Sequence, residues 1–203
     1  MPDDQRERTE LTRLAVDSAA DARVYIEATT TVASGTSPDV SLPVVLLALS
    51  QVLASGARLG AISDVVPTER FEPDTGPDHD VDPLRTALAN VFEGLDDYAE
   101  VFDPVISGDV VPGSLSGDLA AVAADLAHGL RHYEAGRVDE ALWWWQFSYL
   151  SNWGSTGSSA LRALHSVVSH VRLDTEIDVI DETTLIEDRL LAETVAEAAT
   201  KPH

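Results

Sequence analysis

Asp139 to Gly154 reads DEALWWWQFSYLSNWG and holds all four tryptophans of the chain, with Phe147 and Tyr149 among them. At about 100° per residue, Trp143, Phe147 and Leu150 fall on one face of a helix and Leu142, Trp145, Tyr149 and Trp153 on another. Only a narrow polar strip is left, so the spacing predicts a helix surrounded by other helices. Aromatic clusters also form ligand cages and base-stacking platforms, but these need an exposed face and, for nucleic acid, basic residues that this stretch lacks. Core packing is the favoured reading, and Gly154 is expected to end the helix.

Outward from this stretch, apolar residues recur at helical spacing and no segment shows sustained period-2 alternation, which predicts an all-α fold, a compact bundle of five to six helices. Leu11, Leu14, Ala15, Ala22, Tyr25 and Ile26 place a first helix at roughly 7 to 33. Ser41 and Pro43 open a second, apolar nearly all round, with Gly56 and Gly60 on its main stripe, where a missing side chain lets another helix approach. The stretch from Ser63 to Asp82 is dense in Pro and Asp and reads as a loop. Asp82 and Pro83 restart a helix whose stripe runs through Leu84, Leu88, Val91, Leu95, Tyr98 and Phe102. A fourth helix, capped by Ser116 or Asp118, is ended by Gly136, and a sixth runs from about Ser158 to Leu173. The helical domain is expected over 7–174. Residues 175–203 read as an acidic tail with one short helix around Thr184 to Ala199.

Thirty-five acidic residues face thirteen basic ones, only one of them lysine, for a net charge of −22. Such a chain repels phosphate backbones and anionic lipid, so neither nucleic acid nor membrane is an expected partner. The absence of cysteine excludes thiolate metal sites, thiol catalysis and disulfides, and it fits a reducing cytosol. The first ten residues do not read as a secretory signal, and the apolar run from Leu42 to Ala54 falls short of the roughly 20 residues that span a bilayer. A cytoplasmic protein is expected.

Polar candidates are few. Asp125, His128 and His132 share one helix face and could ligate a metal, but H-E-x-x-H is absent and a solvated face explains them better. His165 projects along the Leu161 and Val168 stripe, where a buried, hydrogen-bonded histidine is the simpler reading. Trp153, Asn152, Arg162 and His165 bracket the Gly154 turn, where the start of a helix can receive an anion, and they are the candidate ligand-binding residues. Asp74, Asp78, Asp80 and Asp82 are the candidate metal ligands, with oxygens suited to Ca²⁺ or Mg²⁺. They miss the EF-hand spacing, and a solvated acidic loop is the favoured account. No cofactor is expected, because no dinucleotide fingerprint or phosphate-cradling glycine loop is visible. HYEAGRVDEALWWW resembles the turn of a tetratricopeptide repeat, but with no second copy it reads as a generic helix hairpin.

Several blocks together, LLALSQVLASGARLGAI, VVPTERFEPDTGPDHDVDPLR, YAEVFDP, DLAHGLRHYEAG and EALWWWQFSYLSNWGS followed by ALRALHSVVSHVRLD, resemble an uncharacterised bacterial family, the domain of unknown function 5063. The resemblance spans about residues 10 to 174 and implies an intracellular helical protein with no assigned activity. It carries no catalytic residues over. The expectation for function is a non-enzymatic protein-interaction or scaffold module, with a protein partner or a second copy of itself. The alternative is a small-molecule-binding protein, or a hydrolase of unrecognised type, with a pocket near His165.

Overall fold

The computed structural model describes residues 2–67, 77 and 80–173. The first two helices, α1 (Pro2–Ala33) and α2 (Pro38–Gly60), are joined by a four-residue turn containing Gly35 and pack along each other. A turn that short makes them antiparallel neighbours. Alanines and Tyr25 on α1 and Val45, Leu49, Val52 and Leu59 on α2 are buried. By length and composition α2 could cross a membrane, but its buried face packs on α1 and α5 (Val138–Ser148). Gly56 is where close approach is required, since a Cβ there would run into the rings of Tyr149 and Trp153.

The third helix, α3 (Asp82–Val91), stops far earlier than its stripe suggests. Gly94 takes a φ of 80°, a left-handed turn open to glycine, and the chain leaves it as a strand. Strands β1 (Asp97–Asp103) and β2 (Ser107–Ser114) pair antiparallel, with Tyr98 opposite Gly113 and Ala99 opposite Pro112. The expected all-α fold is therefore corrected to a mostly helical one carrying a two-stranded hairpin. Asp103 shapes the hairpin end by accepting from the N–H groups of Val105 and Ile106 at 2.8 and 3.0 Å, an Asx turn.

Helix α4 (Leu115–Glu134) follows β2 directly and ends, as expected, at Gly136. Its N-cap is Ser114, whose hydroxyl accepts from Gly117 N–H. Buried Tyr25 reaches across to donate to the Leu119 carbonyl at 3.0 Å, tying α1 to α4. The tryptophan helix α5 does not end at Gly154. It passes through a π-helical turn (Tyr149–Trp153) into α6 (Gly154–Arg172), so α5 and α6 form one interrupted rod. The chain divides into two units, Met1–Val168 and Ser169–His203, and every element except the last residues of α6 lies in the first.

The aromatic stretch is only half surrounded. Trp145 is 1% exposed and its indole donates to the Leu126 carbonyl of α4, while Trp153 is equally buried. Gln146 is buried beside them, donating to the Leu59 carbonyl and accepting from Val65 N–H. Trp143, by contrast, is half-buried, and Phe147 and Leu150 are exposed. The face carrying Trp143, Phe147 and Leu150 points to solvent rather than to another helix.

Candidate functional site

Asp96, just before β1, holds the hairpin to the start of α4. Its carboxylate accepts from Ser116 N–H at 2.7 Å and from the Ser114 and Ser116 hydroxyls at 2.9 and 2.8 Å. That arrangement satisfies free donors at a helix N-terminus with a negative charge, which the helix dipole favours. One turn on, Asp118 accepts from the Tyr98 hydroxyl at 2.5 Å. Burial pushes the Asp118 carboxyl up to about 6, with the charges of Glu100 and Asp96 adding to the rise and the Tyr98 hydrogen bond opposing it. The Tyr98 phenol is held well above its usual range, first by burial and then by Asp118, so it stays protonated and donating. Ser159 of α6 hydrogen-bonds the same phenol. The Tyr98 ring lies over Gly113 in the neighbouring strand, where a Cβ would collide with it.

Between β1 and α6 lies a groove of about 590 Å³. Its helix wall presents Ser155, Ser159, Arg162 and Ser166, spaced so that all four share one face of α6. Its strand wall is five consecutive residues, Asp97 to Val101. Side chains alternate faces along a strand, so five in a row lining one groove bring the backbone of β1 to it as well as the Tyr98 side chain that reaches Ser159. At the far end Val101 and Pro104 lead to the hairpin tip, where Phe102 is 71%, Val105 91%, Ile106 85% and Val110 67% exposed.

The four candidate ligand residues are not brought together. Arg162 lines the groove. Trp153 is buried against α2, lining with Ser18 and Ser55 a cavity of only about 10 Å³. Asn152 turns to α4 and donates to Asp125 at 2.7 Å, and burial raises the Asp125 carboxyl. His165 is exposed, which corrects the expected inward projection, and it is not among the groove residues. His132, expected on a solvated face, is fully buried, and His128 lies against the Trp144 ring with centroids 4.0 Å apart. Of the candidate metal ligands, Asp74 and Asp78 lie outside the described residues, as does the expected tail. Asp80 accepts from Asp82 N–H, and Asp82 pairs with Arg85 at 2.9 Å. Among the described residues no three His, Asp or Glu side chains gather as a metal site.

The groove was missed because its strand wall was read as helix. The available signals were Gly94, the Asp103-Pro104 turn and the β-branched run of Val101, Val105, Ile106, Val110 and Val111.

A family model described as a domain of unknown function (DUF5063) matches residues 9–170. No curated protein matches the sequence. The fold is similar to a crystal structure of protein BF1032 from Bacteroides fragilis, with a TM-score of 0.61 and 18% identity over 75% of this chain and 90% of that one. At that identity the likeness is one of fold.

Proposed function

The chain belongs to the family of the domain of unknown function 5063, and from that premise we propose that it is a non-enzymatic protein-interaction module that contacts its partner through the tip of the β1–β2 hairpin. The observation that carries this reading is the cluster of Phe102, Val105, Ile106 and Val110, four large apolar side chains in solvent at one end of one element. Leaving them in water costs about 1.5 kcal/mol or more each relative to burial, a cost that a partner surface removes. Chemistry is the weaker reading. Ser159 is the groove hydroxyl bonded to a titratable group, but that group is a phenol that stays protonated and donates onward to Asp118, so it supplies no base.

A photo-crosslinking residue at Val105 of the full chain, expressed in its host cell, tests this. One discrete adduct, lost on Ile106→Asp and absent when the crosslinker sits at Arg13, is the expected outcome. Equal adducts from both positions, or none from Val105, would overturn it.

The groove's volume lies in the range of small-molecule pockets, which supports a ligand-binding protein as the second reading. Native mass spectrometry of the purified chain tests it, the expected mass being that of the chain plus ligand.

A further inference from the structure

Resting on the interaction-module reading, we infer that the groove between β1 and α6 takes an extended segment of a protein partner, net basic and carrying one carboxylate, as a third strand beside β1. Among the described residues the sheet has two strands, and β1 has a partner on one edge only. Pro112 decides which backbone groups face the other. It stands opposite Ala99 and has no N–H to give, which suits a non-hydrogen-bonded pair. Ala99 then directs its N–H and C=O away from β2, and by the two-residue period Asp97 and Val101 do the same. These three residues line the groove.

An edge of unpaired donors and acceptors is a template for another strand. Five residues of β1 span about 17 Å at strand rise, room for four or five residues of an added chain. The opposite wall suits a backbone passing close by, because its serines and Ala163 are small. The same pairing of a strand edge with a helix recurs where peptides bind by strand addition.

Charge selects among extended segments. Arg162 has no ion pair among the described residues, although the chain has nearly three acidic residues for every basic one. A carboxylate from the occupant would supply its partner as a forked hydrogen-bonded pair. Asp97 and Glu100 stand on the opposite wall and favour a basic side chain. The net charge of −22 draws basic chains and repels acidic ones.

The test uses a displayed library of random seven-residue peptides, selected on the full chain and followed by synthetic copies of the tightest sequence. Expected are mixed-charge peptides whose binding weakens about tenfold or more on Arg162→Glu, which removes a charge-assisted pair. Ala99→Pro should weaken it similarly, by removing an outward N–H without touching the β2 pairing, and circular dichroism would show whether that variant folds. The readout independent of any variant is N-methylation of alternate peptide residues. One phase should abolish binding and the other leave it within about threefold, as a strand ladder requires.

Equal effects from the two phases, or indifference to Arg162→Glu, would overturn the inference, as would a library with no sequence selected above background. So would a dimer of the free chain that Arg162→Glu dissociates, since the occupant would then be a second copy. Peptides lost on Val105→Asp with Ile106→Asp but unmoved by Arg162→Glu would leave the hairpin-tip reading standing and remove the groove.

Discussion

Trp143 and Trp145 stand two residues apart in α5 yet have different surroundings. Trp145 is buried against α4 with its indole hydrogen-bonded, whereas Trp143 is half-buried and stacks on exposed Phe147 with centroids 5.6 Å apart. Trp145→Ala should therefore cost about 3 to 5 kcal/mol, through lost burial and the cavity left behind. Trp143→Ala should cost roughly 1 to 2 kcal/mol, near the value of an aromatic pair plus partial burial. Urea denaturation of both variants checks this, and equal losses would contradict the exposure of the Trp143 face. The repeated WWW block marks the core in the sequence but does not say which tryptophan faces inward, because both faces of the stretch are apolar.

Asp118 gives a prediction of definite sign. Its carboxyl titrates near 6 in the folded chain, against 3.8 ordinarily. Between about pH 4 and 6 the folded state holds a proton that the unfolded state has released, so stability from this group falls as pH rises through that window and stays low above it. Asp118→Asn keeps an acceptor for the Tyr98 hydroxyl and removes the charge. It should stabilise the chain above pH 6 by about 1 kcal/mol, reduced from the full value of the shift because the group is partly solvated. At pH 4 the gain should be absent. Parallel pH profiles for the two proteins would contradict a raised carboxyl.

At the scale of elements, α1, α2, α4 and the close approach at Gly56 were all readable, because long amphipathic stripes bounded by turn residues admit few alternatives. Gly56→Ala is expected to cost about 1 to 3 kcal/mol, or more if the Tyr149 and Trp153 rings cannot shift, since the added Cβ overfills a packed contact. A thermal melt within a degree of the parent would mean that α2 and the π turn are further apart. The hairpin was not readable by the same rule. Leu95, Tyr98 and Phe102 continue the three-four spacing of Leu84, Leu88 and Val91, so periodicity alone extends α3 straight through β1. Local chemistry broke the pattern at Gly94 and again at Asp103-Pro104. With β1 went the groove, and Arg162 alone of the candidate ligand residues belongs to it. His165 was misplaced because Leu161 and Val168 were read as the inward stripe, whereas the buried residues of α6 are Gly157, Ala160 and Leu164.

Over the whole molecule, charge is the largest unbalanced term. Four described ion pairs, all with at least one exposed partner, do little to offset a net charge of −22, and exposed pairs contribute about 0 to 1 kcal/mol each. Self-repulsion on that scale opposes the folded state and is relieved by salt. Raising NaCl from about 0.01 to about 0.1 M shortens the screening length from about 30 to about 10 Å. The melting temperature should climb smoothly over that range, by about 2 to 4 °C for each kcal/mol of repulsion removed in a chain of this length. The acidic stretch with Asp74, Asp78, Asp80 and Asp82 should follow the same curve. On this view Ca²⁺ acts through ionic strength, and micromolar amounts do nothing. A saturable, stoichiometric rise in melting temperature at micromolar Ca²⁺ or Mg²⁺, abolished by Asp78→Asn with Asp80→Asn and accompanied by little response to NaCl, would instead show mass-action binding at those aspartates. Divalent and monovalent titrations on the chelator-treated chain separate the two, because screening depends on total ionic strength and a bound cation does not.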